Sequence, residues 1–127
     1  MAKNQTKYVD GFVLVVPKKK VAEYSKMAQA AGKMWKKYGA LDYKECMLDD
    51  AKPKYVTFIF PKMAKAKPNE TVWFSYIEYK SKKHRDEVNA KVMKDPSMKS
   101  DDPNHMEKMP FDMKRMAYGG FKVVVNS

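Results

Sequence analysis

The sequence contains one cysteine, two arginines, two histidines and five glycines, and its longest uninterrupted apolar run is the five residues Phe12 to Val16. A lone Cys46 cannot close an internal disulfide or build a zinc site, so neither framework is expected. A membrane-spanning helix needs ~20 apolar residues in succession, which excludes one here and predicts no membrane partner. Met1 to Asp10 lacks the basic start, apolar stretch and small-residue cleavage site of a secretory signal, and the cytoplasm is therefore the expected location. No internal repeat or low-complexity segment occurs. The scarcity of arginine bears on partners, because bidentate recognition of phosphates and bases uses its planar fork rather than the point charge of lysine.

What is present is globular. With 127 residues, 44% hydrophobic and 32% charged, the chain is long enough for one domain, residues 1–127, that folds unaided. Twenty-four lysines and two arginines oppose fifteen acidic residues for a formal net charge of +11. The excess is spread, with 13 basic and 6 acidic groups in residues 1–64 and 13 and 9 in residues 65–127. Its densest stretch runs from Lys18 to Lys37. On a helix, Lys19, Lys26, Lys33 and Lys37 fall in one arc opposite an apolar stripe. Such an arc is a candidate contact for RNA or another polyanion. A solvated lysine face is its commoner origin, and the lack of arginine weakens the nucleic-acid reading.

The hydrophobic periods set the expected elements. Tyr8 to Val16 is β-branched and aromatic, stops at Pro17, and predicts a strand. Val21, Tyr24, Ala28, Ala31, Trp35 and Tyr38 then recur at three and four, which predicts an amphipathic helix halted by Gly39. Leu41 to Leu48 alternates and predicts a second, more exposed strand. Tyr55 to Phe60, between Pro53 and Pro61, predicts an edge strand or extended insertion. Thr71 to Tyr79 has aromatic and β-branched residues on both faces and predicts a strand buried at least partly on each. Ser81 is a suitable N-cap for a helix from Lys82 to Lys94, with His84, Val88 and Val92 on one face. Ser97 to Pro110 reads as a loop. Lys114 to Val125 predicts the last strand, with Gly119 and Gly120 marking a bulge or a close approach.

The order strand, helix, strand, strand, helix, strand predicts an α+β fold of the ferredoxin-like, split βαβ kind (βαββαβ), an antiparallel sheet with two helices on one face. The other face, carrying alternate members of Val9 to Val15, Val72 to Tyr76 and Tyr118 to Val124, would be an apolar patch too large for a monomer to leave in water. A homodimer packed sheet to sheet is the expected remedy.

Three segments, YVDGFVLVVP (Tyr8 to Pro17), YKSKKHRDEVNAKVM (Tyr79 to Met93) and MPFDMKRMAYGGF (Met109 to Phe121), together resemble the bacterial YbaA-like family, a domain of unknown function, over nearly the whole chain. Met113 stands where the family usually has glycine or a similar residue, and the insertion around Phe58 to Lys67 is variable. The resemblance implies a protomer of the dimeric α+β barrel superfamily. Other members of that superfamily include small monooxygenases, isomerases and haem-handling proteins that use a cavity between sheet and helices. It implies no established activity.

Candidate site residues follow from chemistry. His84 and Arg85, with Asp86, open the second helix, where free backbone N–H groups favour anions and a ligand carboxylate or phosphate could be held. His84 is also the better placed of the two histidines for proton transfer. Asp10 interrupts an apolar strand and must find a cation or backbone donors, with Arg115 as the expected partner and Asp112 beside it. Trp35, Tyr76 and Trp73 are candidates for the wall of an aromatic pocket. Met93, Met98, Met106, Met109, Met113 and Met116, with His105 among them, raise a thioether copper site, but methionine more often fills irregular cores. No metal or cofactor is expected. The favoured reading is a homodimer binding a small metabolite between sheet and helices. The alternatives are a cofactor-free monooxygenase- or isomerase-like enzyme using that pocket, and an RNA-binding module using the lysine arc.

Overall fold

The computed structural model describes residues 5–98, 102–105 and 108–127. Strand β1 (Tyr8–Pro17) leads through a 3₁₀ turn (Lys18–Lys20) into helix α1 (Val21–Lys37), followed by β2 (Asp42–Met47), a helical turn α2 (Phe60–Met63), β3 (Glu70–Tyr79), α3 (Lys82–Lys94) and β4 (Ala117–Lys122). The four strands make one antiparallel sheet in the order β2-β3-β1-β4. β1 and β3 pair over their full ten residues, Tyr8 opposite Tyr79 and Pro17 opposite Glu70.

Alternation along the strands divides the sheet into two faces. Leu14, Val16 and Trp73 pack with Tyr24 and Ala28 of α1. Ile77 and Tyr79 pack with Val88 and Val92 of α3, and Phe12 joins both clusters. Both long helices therefore cover one face. Each fully buried aliphatic side chain contributes about 1.5–3 kcal/mol relative to exposure, and edge-to-face contacts of Tyr24 with Trp73 and Phe111, at 4.8 and 5.6 Å, add geometric preference. The opposite face carries Val13, Phe74, Tyr76 and Phe121; Phe74 is 45% and Phe121 61% exposed.

Local chemistry sets the boundaries. Gly39, at φ +114°, ends α1 in the left-handed conformation while the Gly39 and Ala40 amides donate back to the Lys36 and Trp35 carbonyls. Ser81 caps α3 by accepting from the His84 amide at 3.0 Å, as its sequence position predicts.

Several expectations are corrected. Of the two readings of Tyr55 to Phe60, the insertion holds and the edge strand does not: Tyr55 takes φ 71° and Phe60 opens α2 with Pro61 in its first turn. The last strand begins at Ala117, because Asp112 accepts from the Lys114 amide and winds Met113–Arg115 into a 3₁₀ turn. Gly119 and Gly120 form no bulge, the register running unbroken from Tyr8–Lys122 to Val13–Ala117. Gly120 instead admits the Tyr8 ring, whose hydroxyl would clash with any Cβ there. That register also aligns Tyr118 with Phe12 and so places it on the helix-covered face, leaving Phe121 on the other. Lys19 lies in the turn before α1 and not within the helix.

Candidate functional site

Strand β2 is the sheet edge nearest α1, and its alternation directs Tyr43 and Glu45 toward the helix while Lys44 and Cys46 point away. Glu45 pairs directly with Ser75 of β3, so their side chains rise from the sheet side by side. From above, α1 supplies Tyr24 and, one and two turns on, the small residues Ala28 and Gly32. A Cβ at Gly32 would stand 2.9 Å from the Tyr43 ring, so glycine lets that ring lie against the helix.

These four residues form a carboxylate cradle. Glu45 Oε1 accepts from the Tyr24 hydroxyl at 2.8 Å and from the Ser75 hydroxyl, and Oε2 accepts from the Tyr43 hydroxyl at 2.6 Å. A carboxylate has about four acceptor positions; three are filled, and all three donors are neutral. Among the described residues no lysine, arginine or histidine makes an ion pair with Glu45. Burial pushes both tyrosine hydroxyls well above the ordinary phenol range; the nearby Glu45 charge adds to this for Tyr24, and the hydrogen bond to Glu45 for Tyr43. Both therefore stay protonated and donating across the physiological range.

The cradle stands where two spaces meet. A groove of about 800 Å³ runs between α1 and β2, with Ser25, Ala28, Gly32, Tyr43, Glu45 and Trp73 on its walls and Lys33, Lys36 and Asp42 among its polar groups. A narrower cavity of about 170 Å³ continues inward between Phe12, Met27, Trp35, Ile77 and Phe111, sharing Ala28, Tyr43 and Glu45 with the groove. A mostly apolar concavity with a few convergent polar groups is the usual form of a small-molecule site.

The predicted candidates distribute unevenly around it. Trp35 lines the inner cavity, its Nε1 donating to Asn89 at 3.0 Å. Tyr76 is on the opposite face, its ring 5.9 Å from that of Phe74, so it shares no pocket wall with Trp35 and Trp73. Asp10 is not paired with Arg115. It is 1% exposed and accepts from Arg85 Nη1 at 2.7 Å and from the Tyr118 hydroxyl at 3.0 Å, because its β1 position faces α3. Arg115 instead closes a fork on Glu70, at 2.7 and 3.0 Å, and donates to the Lys65 carbonyl. Asp112 is the cap of the turn beside it.

His84 accepts the Lys80 amide on Nδ1 and stands edge-on to the Tyr79 ring at 5.9 Å, away from the groove. Lys19, Lys26, Lys33 and Lys37 are all exposed; Lys33 reaches the groove and Lys37 lies 3.8 Å from Asp95. Of the methionines, Met27 and Met116 pack on the core, Met93 and Met98 are exposed, and Met106 lies outside the described residues. Among the described residues no group of three or more His, Cys, Asp or Glu is placed to hold a metal, and no helix is long and apolar enough to cross a membrane.

Sequence reading missed Glu45, Tyr24, Tyr43 and Ser75 as a unit. The alternation in LDYKECML already puts Tyr43 and Glu45 on one face, but their meeting with Ser75 depends on the β2–β3 register, which no local pattern carries.

Comparison with known proteins agrees with the segments singled out above. Residues 7–113 match the family described as "Protein of unknown function (DUF1428)". Proteins called "Uncharacterized protein YbaA" from Escherichia coli strain K12 and from Shigella flexneri are each 48% identical to this chain over 120 residues, covering 94% of it and 98% of their own length. The chain therefore belongs to the DUF1428 family, with the YbaA proteins among its relatives.

Proposed function

We propose that the protein is a cytoplasmic homodimer that binds a small organic molecule in the groove between α1 and β2. The observation that carries this is the Glu45 cradle: a carboxylate held by three hydroxyls, with an acceptor position left over, at the junction of an open groove and an apolar inner cavity. The strand order β2-β3-β1-β4, with both long helices on one face, supports a ferredoxin-like protomer. The exposed Phe74 and Phe121 on the other face support a sheet-to-sheet dimer of the α+β barrel kind. A single cysteine supports the reducing cytoplasm.

The same geometry supports a second reading as an enzyme, in which Glu45 exchanges a proton with the bound molecule while Tyr24 and Tyr43 hold it in place. RNA binding draws less support, since Lys33 turns toward the groove and Lys37 toward Asp95.

Native mass spectrometry of the protein after incubation with a small-molecule cell extract tests the proposal. The expected spectrum is a dimer carrying a discrete adduct, absent when the groove is filled by Ser25→Trp. An adduct-free protein, or one whose adduct survives that substitution, overturns it.

A further inference from the structure

Resting on the groove reading above, we infer that the ligand is a protonated amine carried on an apolar or aromatic body, with its N–H groups directed at Glu45. Glu45 is the partly buried acid whose contacts are all neutral: Tyr24, Tyr43 and Ser75 each donate one hydrogen bond, and no basic side chain among the described residues comes within ion-pair distance. The buried Asp10 has Arg85, and the partly buried Glu70 has Arg115. A carboxylate withdrawn from water is favoured when an opposite charge joins its hydrogen bonds, and the protein supplies none here. The hydroxyls that do approach are fixed as donors to Glu45, so what the site still accepts is a donor.

The shape sets the rest of the molecule. Inward of Glu45 the walls are Phe12, Trp35, Ile77 and Phe111, which suit a ring or branched alkyl group and offer cation–π faces beside an ammonium. The nearest lysines do not satisfy Glu45 themselves: Lys36 Nζ donates to the Leu41 carbonyl at 2.9 Å, and Lys33 is exposed. With a net charge of +11 the general field of the protein attracts anions. A preference for an amine therefore has to come from the local site.

Three probes with one phenyl ring separate the possibilities: phenethylamine, 2-phenylethanol and 3-phenylpropionate, titrated calorimetrically into the wild-type protein and into Glu45→Gln. The expected result is phenethylamine binding at least about tenfold more tightly than 3-phenylpropionate, a 1.4 kcal/mol difference, with 2-phenylethanol between them and the preference lost in Glu45→Gln. Circular dichroism and thermal unfolding of Glu45→Gln, expected to match the wild type, separate loss of the charge from loss of the fold. If 3-phenylpropionate binds as well as or better than phenethylamine and Ser25→Trp blocks both, the amine assignment is overturned while the groove reading stands. If none of the probes binds the wild type, the assignment of an amine on an apolar ring is overturned, while the groove reading is decided by the adduct test above.

Discussion

Arg85 Nη1 lies 2.7 Å from Asp10 Oδ1, tying the first turn of α3 to the middle strand pair of the sheet. The Tyr118 hydroxyl bridges the same two groups, and the guanidinium stands 5.2 Å from the centre of the Tyr8 ring. Removing Arg85 leaves the buried Asp10 charge with only the Tyr118 hydroxyl, a loss of about 3–5 kcal/mol, whereas removing the Asp10 charge leaves Arg85 its second pair, Nε to Asp86 at 2.7 Å. Arg85→Met should show it in denaturant unfolding, Asp10→Asn should cost less, and the double variant should be less destabilised than their sum. Additive losses would mean that the pair is not coupled.

Tyr79 is fully buried, and among the described residues its hydroxyl has no hydrogen-bond partner. Burial, with the Asp10 charge second, pushes this hydroxyl above the ordinary phenol range, so it sits in the core as a neutral, unsatisfied group. Such a group costs about 1–3 kcal/mol. Tyr79→Phe keeps the ring and should leave thermal stability equal or raise it; a clear fall in midpoint would show that the hydroxyl makes a stabilising contact.

The fork of Arg115 on Glu70, with desolvation opposing it, draws the Glu70 carboxyl from 4.5 down to about 2. A group depressed in the folded state contributes stability that is present above its unfolded value and is lost as pH falls through the folded one. The contribution is therefore complete above about pH 5 and drains toward about 2. Arg115→Met should lower stability at neutral pH and flatten the decline across that acid window. A decline as steep as in the wild type would assign the acid sensitivity to other carboxyls.

The exposed apolar face predicts a dimer at micromolar concentration. Phe74→Asp and Phe121→Asp place charges at its two most exposed rings and should give monomers by sedimentation with the fold retained by circular dichroism. A wild-type protein that sediments as a monomer would remove the sheet-to-sheet arrangement.

Much of the scaffold was legible because it rests on local patterns. The three-and-four spacing from Val21 to Tyr38, Gly39 and Ser81 each state an element or its end, and the structure places α1 and α3 accordingly. Register was not legible. Pairing Asp10 with Arg115 assumed that the last strand starts at Lys114, whereas the Asp112 cap delays it to Ala117 and turns Arg115 toward Glu70. The cradle was hidden for a related reason. Tyr24 reads as one more apolar position on a helix and Glu45 as one more exposed acid on an edge strand. Only the sheet register and the close approach allowed by Gly32 bring them together.

Occupation of the groove between α1 and β2 by a small molecule lying against Glu45 can be seen directly. Backbone and indole resonances of the ¹⁵N-labelled protein, followed while a desalted small-molecule extract is added, locate the occupant directly. Saturable shifts are expected at Ala28, Gly32, Tyr43, Glu45 and the Trp73 indole, abolished by Ser25→Trp. Shifts confined to Val13, Phe74, Tyr76 and Phe121, on the far face of the sheet, would contradict it.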